Sequence, residues 1–522
     1  MADWGGGGDG AALERPGHVV LEMERLSLGG AQESSGSDDE ARVTDVHVVP
    51  LSDSDPLVDQ MRKRLEKLPV ADTQSPAAGR SSICRVPPSI KAAESEAYEP
   101  RLVSIGPLHR EKESLKPMQE LKLAYLRDLL DRSSHNDLGT YVKVTRGCAG
   151  QARAQYAEAI GLSEDGLVEM LVLDGCFIIE YFVKRVFRQT AETAPLSGVR
   201  WGFSHLRRDL MLLENQIPFF VLVKLFSNSK IPFHGTRQEP LTLMEIALRF
   251  LDIKLPMAEQ PKPKAVLHLL HLYHLCLNPQ LVKEVPLRYS CGELVLWPFR
   301  KAYDLASLLF FGLLYLVFMR ELPPCFVPCK QESKVPRMIN CATELVEAGV
   351  HFKKKDVDKS KVNCFLKVSF GGGLLEIPFL KVEESTSSKL RNLIALEQCC
   401  PQVGSYITSY AILMDNIINT EGDVAILRGS NIIESKLGSD REVADMFNAL
   451  CKGTHIKYDD HYNALLFKDV KAYCDFAHHK WRATLVHKYF GNPWTIISLL
   501  AGLVLLLLTA TQTYFTVFPR KQ

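Results

Sequence analysis

What the chain lacks narrows its chemistry first. No Gly-Xaa-Ser-Xaa-Gly elbow occurs in its 522 residues, which removes one sequence signature of a serine hydrolase. Gly371-Gly372-Gly373 lacks the Lys-Ser/Thr pair and the following helix of a phosphate loop, so it reads as a hairpin turn. Thirteen scattered cysteines make an odd count. Cys325 and Cys329 stand four apart with no second pair at zinc-finger spacing. Neither a disulfide framework nor a zinc site is expected, and the thiols read as reduced. Charge of one sign is missing too. The formal net charge is +1, which gives no electrostatic case for nucleic acid as a partner. Residues 1–30 contain no basic start followed by an apolar stretch, and no Asn-Xaa-Ser/Thr acceptor occurs anywhere. A secretory route is therefore not expected. Met1-Ala2-Asp3, with no Gly after Met1, and the end Arg520-Lys521-Gln522 do not fit myristoylation or prenylation.

One long uncharged run is present. Residues 494–516 read WTIISLLAGLVLLLLTATQTYFT. As a helix this stretch reaches roughly 35 Å, enough to cross the hydrocarbon core of a bilayer. Trp494 and Tyr514 stand near its ends, where amphipathic rings favour the headgroup level. Lys480, Arg482 and Lys488 precede it; Arg520 and Lys521 follow. The expectation is a single-pass anchor made by residues 491–522, inserted after translation, with the bulk of the chain cytosolic. Whether the membrane is the plasma membrane or an endomembrane stays open. A second apolar stretch, 305–319, reads LASLLFFGLLYLVFM between Asp304 and Arg320. It is short for a span and reads as a core or membrane-skimming helix.

The rest divides by composition. Residues 1–82 form an acidic tail. Eight acids (Glu33, Asp38, Asp39, Glu40, Asp45, Asp53, Asp55 and Asp59) face one base, Arg42, between positions 31 and 60. So few apolar residues cannot offset the entropy of ordering, and disorder is expected. Ser35 and Ser37 each precede an acid by three positions, a spacing suited to an acid-directed kinase or to a plain solvated tail. Within the tail, 56–68 carries Leu57, Val58, Met61, Leu65 and Leu68 on one helical face. A globular part follows over 83–490. Its periodicity predicts helices over 121–130, 167–187, 201–226 with a break near Pro218, 241–250, 265–277, 387–397, 406–419, 440–451 and 462–489. Alternation over 363–370 and a return over 374–382 across the three glycines predict a β-hairpin. The expected fold is mainly α with a small β-hairpin or sheet region (α+β), plus a C-terminal transmembrane helix.

Acidic residues in apolar runs are the first candidates for chemistry. Asp174, Glu180, Asp209 and Glu214 have such surroundings. Burial raises a carboxylate pKa, and paired acids are what hydrolysis uses. The competing role is structural, with the acids bonded to backbone or to arginines such as Arg207 and Arg208. Glu214-Asn215-Gln216 stands just before Pro218, where polar side chains satisfy freed backbone groups. His268, His271 and His274 fall at i, i+3 and i+6, spread over a helix face rather than set as an i, i+4 metal pair. Cys399 and Cys400 are adjacent and point different ways on a helix.

Several phrases in fixed order carry a resemblance. Ile83-Cys84-Arg85-Val86-Pro87, Tyr98-Glu99-Pro100 and Val103-Ser104-Ile105-Gly106-Pro107-Leu108-His109 open it. Leu173-Asp174-Gly175-Cys176-Phe177 and Leu212-Leu213-Glu214-Asn215-Gln216-Ile217-Pro218-Phe219-Phe220 follow. Then come Ala342-Thr343-Glu344-Leu345, Ala348-Gly349-Val350-His351-Phe352, and Arg391-Asn392-Leu393-Ile394-Ala395-Leu396-Glu397-Gln398. Asn492-Pro493-Trp494 closes the set. This resembles the plant domain of unknown function 247, over about 83–518. The resemblance implies a membrane-associated plant protein, usually with one C-terminal span; some members are associated with pollen–stigma self-incompatibility in grasses. It supplies no catalytic, cofactor-binding or metal-binding residue. The run 305–319 departs from it, since that stretch is usually a polar, variable linker.

Two functions stay open on these grounds. One is a non-enzymatic, membrane-anchored recognition or signalling protein that holds the lipid bilayer through 494–516 and works with an unidentified protein partner. The alternative is a membrane-anchored hydrolase using Asp174 and Glu214.

Overall fold

The computed structural model describes residues 56–66, 81–186, 200–231, 241–279, 335–356, 365–475 and parts of 501–513. Residues 1–71 and 72–522 form two units. In the first, Pro56–Glu66 is helical, and its apolar Leu57 and Met61 stay more than half exposed. The rest of the acidic tail, its serines and the linker to position 80 lie outside the described residues, as does 305–319.

In the second unit thirteen helices longer than five residues are described. They are α1 (Met118–Asp131), α2 (Leu138–Arg146), α3 (Glu164–Val186), α4 (Arg200–Asp209), α5 (Phe219–Ser227), α6 (Leu243–Phe250), α7 (Leu269–Cys276), α8 (Ala342–Glu347), α9 (Glu384–Cys399), α10 (Tyr406–Ile417), α11 (Glu421–Gly429), α12 (Asp440–Leu450) and α13 (Ala464–Asp475). The strongest apolar run becomes the centre of the first half. α3 is buried all round from Val172 to Val183, which is how a helix without a polar face must sit. α1, α2, α5 and α6 pack around it. Gly175 permits one of these contacts: a Cβ there would lie 2.4 Å from Leu225 Cδ1 of α5. α9 plays the same part in the second half, between α4, α7, α10 and α12.

Local chemistry marks the helix ends. Thr242 and Glu245 form a reciprocal capping box at α6, and Thr420 and Asp423 form another at α11. Asp137 and Ser439 cap α2 and α12 through backbone N–H groups three residues on. The break expected near Pro218 within 201–226 is present, and it is wider than the proline alone. α4 stops at Asp209 and α5 starts after Pro218, because the polar stretch between them is a turn held by its own side chains.

The hairpin is present and short. β2 (Ser369–Gly371) runs antiparallel to β3 (Leu374–Pro378), and Gly372 and Gly373 turn at φ 59° and 80°. Two pairings go beyond it. β1 (His351–Lys355) lies parallel to β3, and β4 (Leu380–Val382) lies parallel to β5 (Ile433–Ser435). Parallel pairing joins strands distant in sequence, which a local alternation pattern does not reveal.

The long final helix expected over 462–489 is described from Ala464 to Asp475. Most of the anchor run, 494–516, lies outside the described residues. Its described positions are helical, with Leu505, Leu506 and Leu508 exposed. No helix among the described residues is long and apolar enough to cross a membrane.

Candidate functional site

The four buried acids do not converge; each ties a different part of the chain to the core. Asp174 on α3 lies 2.5 Å from Lys122 Nζ and accepts from Gly106 N at 2.8 Å. Both side chains of that pair are 2% exposed. Gly106 sits at φ +76°, and a Cβ there would lie 2.4 Å from the Gln216 carbonyl, so only glycine lets this loop meet the turn after α4. Glu180, one and a half turns further along α3, takes a two-point bond from Arg132 at 2.6 and 2.8 Å. Burial pulls its pKa up against that pairing.

Asp209 ends α4 and accepts from the backbone N–H groups of Arg101, Leu102 and Val103. Its pKa is raised by burial despite those bonds. Glu214 accepts from Val86 N at 2.9 Å and has His109 Nε2 at 3.1 Å and Lys91 Nζ at 3.5 Å. Burial pulls the Glu214 pKa up, but the His109 and Val86 bonds and the Lys91 charge outweigh it and hold the carboxyl below its ordinary value. The expected arginine partners are only partly right. Arg208 does bond Asp209 at 3.1 Å, whereas Arg207 pairs with Asp252 at 2.5 Å.

Asn215 and Gln216 satisfy the turn itself. Asn215 accepts from Ile105 N and donates to the Val103 and Asp209 carbonyls. Gln216 donates to the Leu210 and Leu212 carbonyls and accepts from Leu270 N.

The three histidines line α7 as fixed supports. His268 Nδ1 accepts from His271 N at 3.3 Å, and His271 Nδ1 accepts from Leu267 N at 3.1 Å. His274 sits between Glu397, 2.9 Å from its Nε2, and the Tyr406 hydroxyl, 2.8 Å from its Nδ1. Glu397 also accepts from Ile407 N and Thr408 N, the first-turn donors of α10. Among the described residues no three His, Cys, Asp or Glu side chains form a group fit to hold a metal ion. Cys84 and Cys399 meet side chain to side chain. That contact, then burial, raises the Cys84 thiol; the same contact lowers that of Cys399 against the opposing effect of burial. Cys400 turns instead towards the Ser82 carbonyl at 3.8 Å.

An open cleft lies elsewhere, and no motif pointed to it. It encloses about 520 Å³ where the C-terminal end of α3, the end of α4, the end of α6 and the start of α9 meet. Tyr181, Met211 and Phe250 give it an apolar side, with the Tyr181 and Phe250 rings edge to face at 5.7 Å. Five cationic side chains line it: Arg185, Arg207, Arg208, Arg249 and Lys389. Only two acids do so, Asp252 and Glu383. Asp252 is used by Arg207. Glu383 is used by Lys381 and Lys436, at 2.8 and 3.0 Å, which hold its carboxyl down at about 2. A second hollow of about 510 Å³ shares Ser204, Arg208, Glu383, Ser385 and Ser388 with the first. There Glu94, Glu383 and Glu384 balance Arg101, Arg208 and Lys436, whereas Arg249 and Lys389 of the first make no ion pair among the described residues.

The sequence comparisons bear on the whole body that holds this cleft. The profile of the DUF247 family, described as a plant protein of unknown function, matches residues 83–508. The chain belongs to this family. The UPF0481 protein At3g47200 of Arabidopsis thaliana is 31% identical over 446 residues, covering 84% of this chain and 87% of that protein. A second UPF0481 protein of Arabidopsis thaliana, At3g02645, is 24% identical over 493 residues, covering 84% and 90%. No solved structure matches. In this DUF247 chain the phrases that carry the resemblance fall on the struts: Gly106, Asp174, Glu214 to Gln216, Asn392 and Glu397. Asn392, for example, accepts from Leu213 N at 2.9 Å and donates to the Ala97 carbonyl at 3.0 Å, joining α9 to the first half. The cationic residues of the cleft stand outside every such phrase.

Proposed function

We propose that this DUF247 protein is a single-pass, membrane-anchored recognition or signalling protein that acts by binding, with its body on the cytosolic side and a protein partner. The observation that carries the proposal is the exposure of Leu505, Leu506 and Leu508 on a helical stretch inside an uncharged run of apolar residues. Leaving a leucine in water rather than in an apolar phase costs roughly 1.5–3 kcal/mol. A bilayer removes that cost for the whole stretch at once. The binding role is supported by the carboxylates. Asp174 and Glu214 spend their lone pairs on buried backbone and cationic partners, and neither lines the cleft. Protease protection on intact plant microsomes tests the topology. An epitope on the N-terminal tail is digested without detergent if the body is cytosolic; an epitope shielded until detergent is added contradicts the proposal.

A further inference from the structure

Two cations of the cleft lack an acid of the chain's own: Arg207 pairs with Asp252 and Arg208 with Asp209, whereas Lys389 and Arg249 make no ion pair among the described residues. Lys389, on the first turns of α9, is half-buried and has no carboxylate within ion-pair distance among the described residues. Its ammonium lies 5.9 Å from the centre of the Tyr273 ring. Burial, and next the Arg207 guanidinium, hold Lys389 below the ordinary lysine range. Arg249, at the end of α6, likewise makes no ion pair among the described residues. Arg207 and Arg208 are fixed in place, the first by Asp252 and the Leu251 carbonyl, the second by the Glu99 and Glu96 carbonyls. Fixed guanidiniums lose little freedom when they bind, so they are ready-made donors. Leaving Arg249 and Lys389 without a partner beside these guanidiniums opposes folding, as like charges do. The stabilising complement is an anion.

We propose that this cleft binds a small, multiply charged phosphate ester, with Arg249 and Lys389 as its primary ligands and Arg207 lending its field. Two features select that chemistry. The cations come from different elements, α4, α6 and α9, and so approach from different directions. A planar carboxylate offers two oxygens to one guanidinium fork, whereas a phosphate presents three oxygens tetrahedrally to donors on several sides. The volume, about 520 Å³, is that of a small-molecule site and not of a polymer groove. Tyr181, Phe250 and Met211 give the non-phosphate part of the ligand an apolar side to rest on. Ser385, whose hydroxyl makes no hydrogen bond among the described residues, adds a neutral donor at the rim.

Titration calorimetry of the full-length chain in neutral detergent tests this, with inorganic pyrophosphate and inositol hexakisphosphate as probes. Both bind, and their affinity falls as salt is raised. Arg249→Gln and Lys389→Gln each weaken binding by about tenfold or more, as expected for loss of a charge-assisted bond. Neither variant lowers the melting temperature, and Lys389→Gln raises it, because each removes a like charge from the cluster. That opposite movement separates a ligand from a structural residue. No heat from either probe at low salt overturns the assignment. Parent-like binding by both variants overturns it as well, since an adventitious surface site would behave so. A third arm offers the same headgroup chemistry on vesicles containing phosphatidylinositol bisphosphate. Binding to vesicles with no response to the soluble probes overturns the small-molecule assignment. The cleft is distinct from the anchor, so these outcomes are independent of the topology result.

Discussion

Asp174 is read through Lys122, because the ammonium it meets is as buried as it is. Replacing Asp174 by Asn keeps the volume and leaves that ammonium with the Ser104 carbonyl and a neutral amide. Breaking one side of a buried pair costs about 3–5 kcal/mol. Glu214→Gln costs less. Gln still accepts from Val86 N, and the cations near Glu214, Lys91 and Arg85, reach solvent. Purified Asp174→Asn protein therefore melts well below the parent and accumulates poorly, with Glu214→Gln between the two. A protein with either change that accumulates and melts like the parent, yet fails a complementation assay, contradicts the structural role. The buried acids were legible in the sequence; their partners were less so. Lys122 stands 52 positions from Asp174. Its one local signal was a lysine on the apolar stripe of Met118, Leu121, Tyr125, Leu126 and Leu129.

At the scale of elements, α7 carries a pH dependence. Burial first, then the neighbouring histidines, push His268 down to about 3 and His271 down to about 4. The unfolded chain holds both near 6.5. Between pH 6.5 and 4 the unfolded state therefore binds more protons, and stability is lost as pH falls. Each histidine contributes up to about 1.4 kcal/mol per pH unit to that slope. Asp415, raised by burial to about 6, acts in the opposite sense, gaining stability as pH falls. A paired measurement removes this offset. His271→Gln melts lower than the parent at pH 7.5, and its melting temperature falls less steeply between pH 6.5 and 5. Equal slopes in thermal melting would mean that His271 is not held neutral. Long periodic helices such as α3 and α9 were legible within a few residues, because one face or all faces are apolar. The helices α2 and α11, of nine residues each, were not, and neither were the parallel strand pairs, whose partners lie far apart in the chain. The break near Pro218 was legible, but the width of the turn, 210–218, was not, because its Leu210, Met211, Leu212 and Leu213 bury like helix residues.

For the whole molecule, the phrases that identify the family describe how the body is held together. They set glycine, carboxylate and amide side chains where the segment 83–109, α3, the turn after α4 and α9 meet. The cleft is assembled from the ends of four elements, and no local spacing of its residues announced it. Composition gave a near-neutral chain, and folding gathers five of its cations at one place. The central claim concerns the other end of the chain: that 494–516 holds the body to a bilayer. Carbonate extraction of plant membranes expressing the full-length chain tests it most directly, beside a variant with Leu505→Arg and Leu506→Arg. Two arginines at the centre of a span cost roughly 5–7 kcal/mol of insertion. The account predicts that the parent stays in the carbonate-resistant membrane pellet and that the variant leaves it, becoming soluble or aggregating. A parent released by carbonate, or a variant that stays membrane-integrated, contradicts it; in the second case 305–319 becomes the segment to test as the anchor.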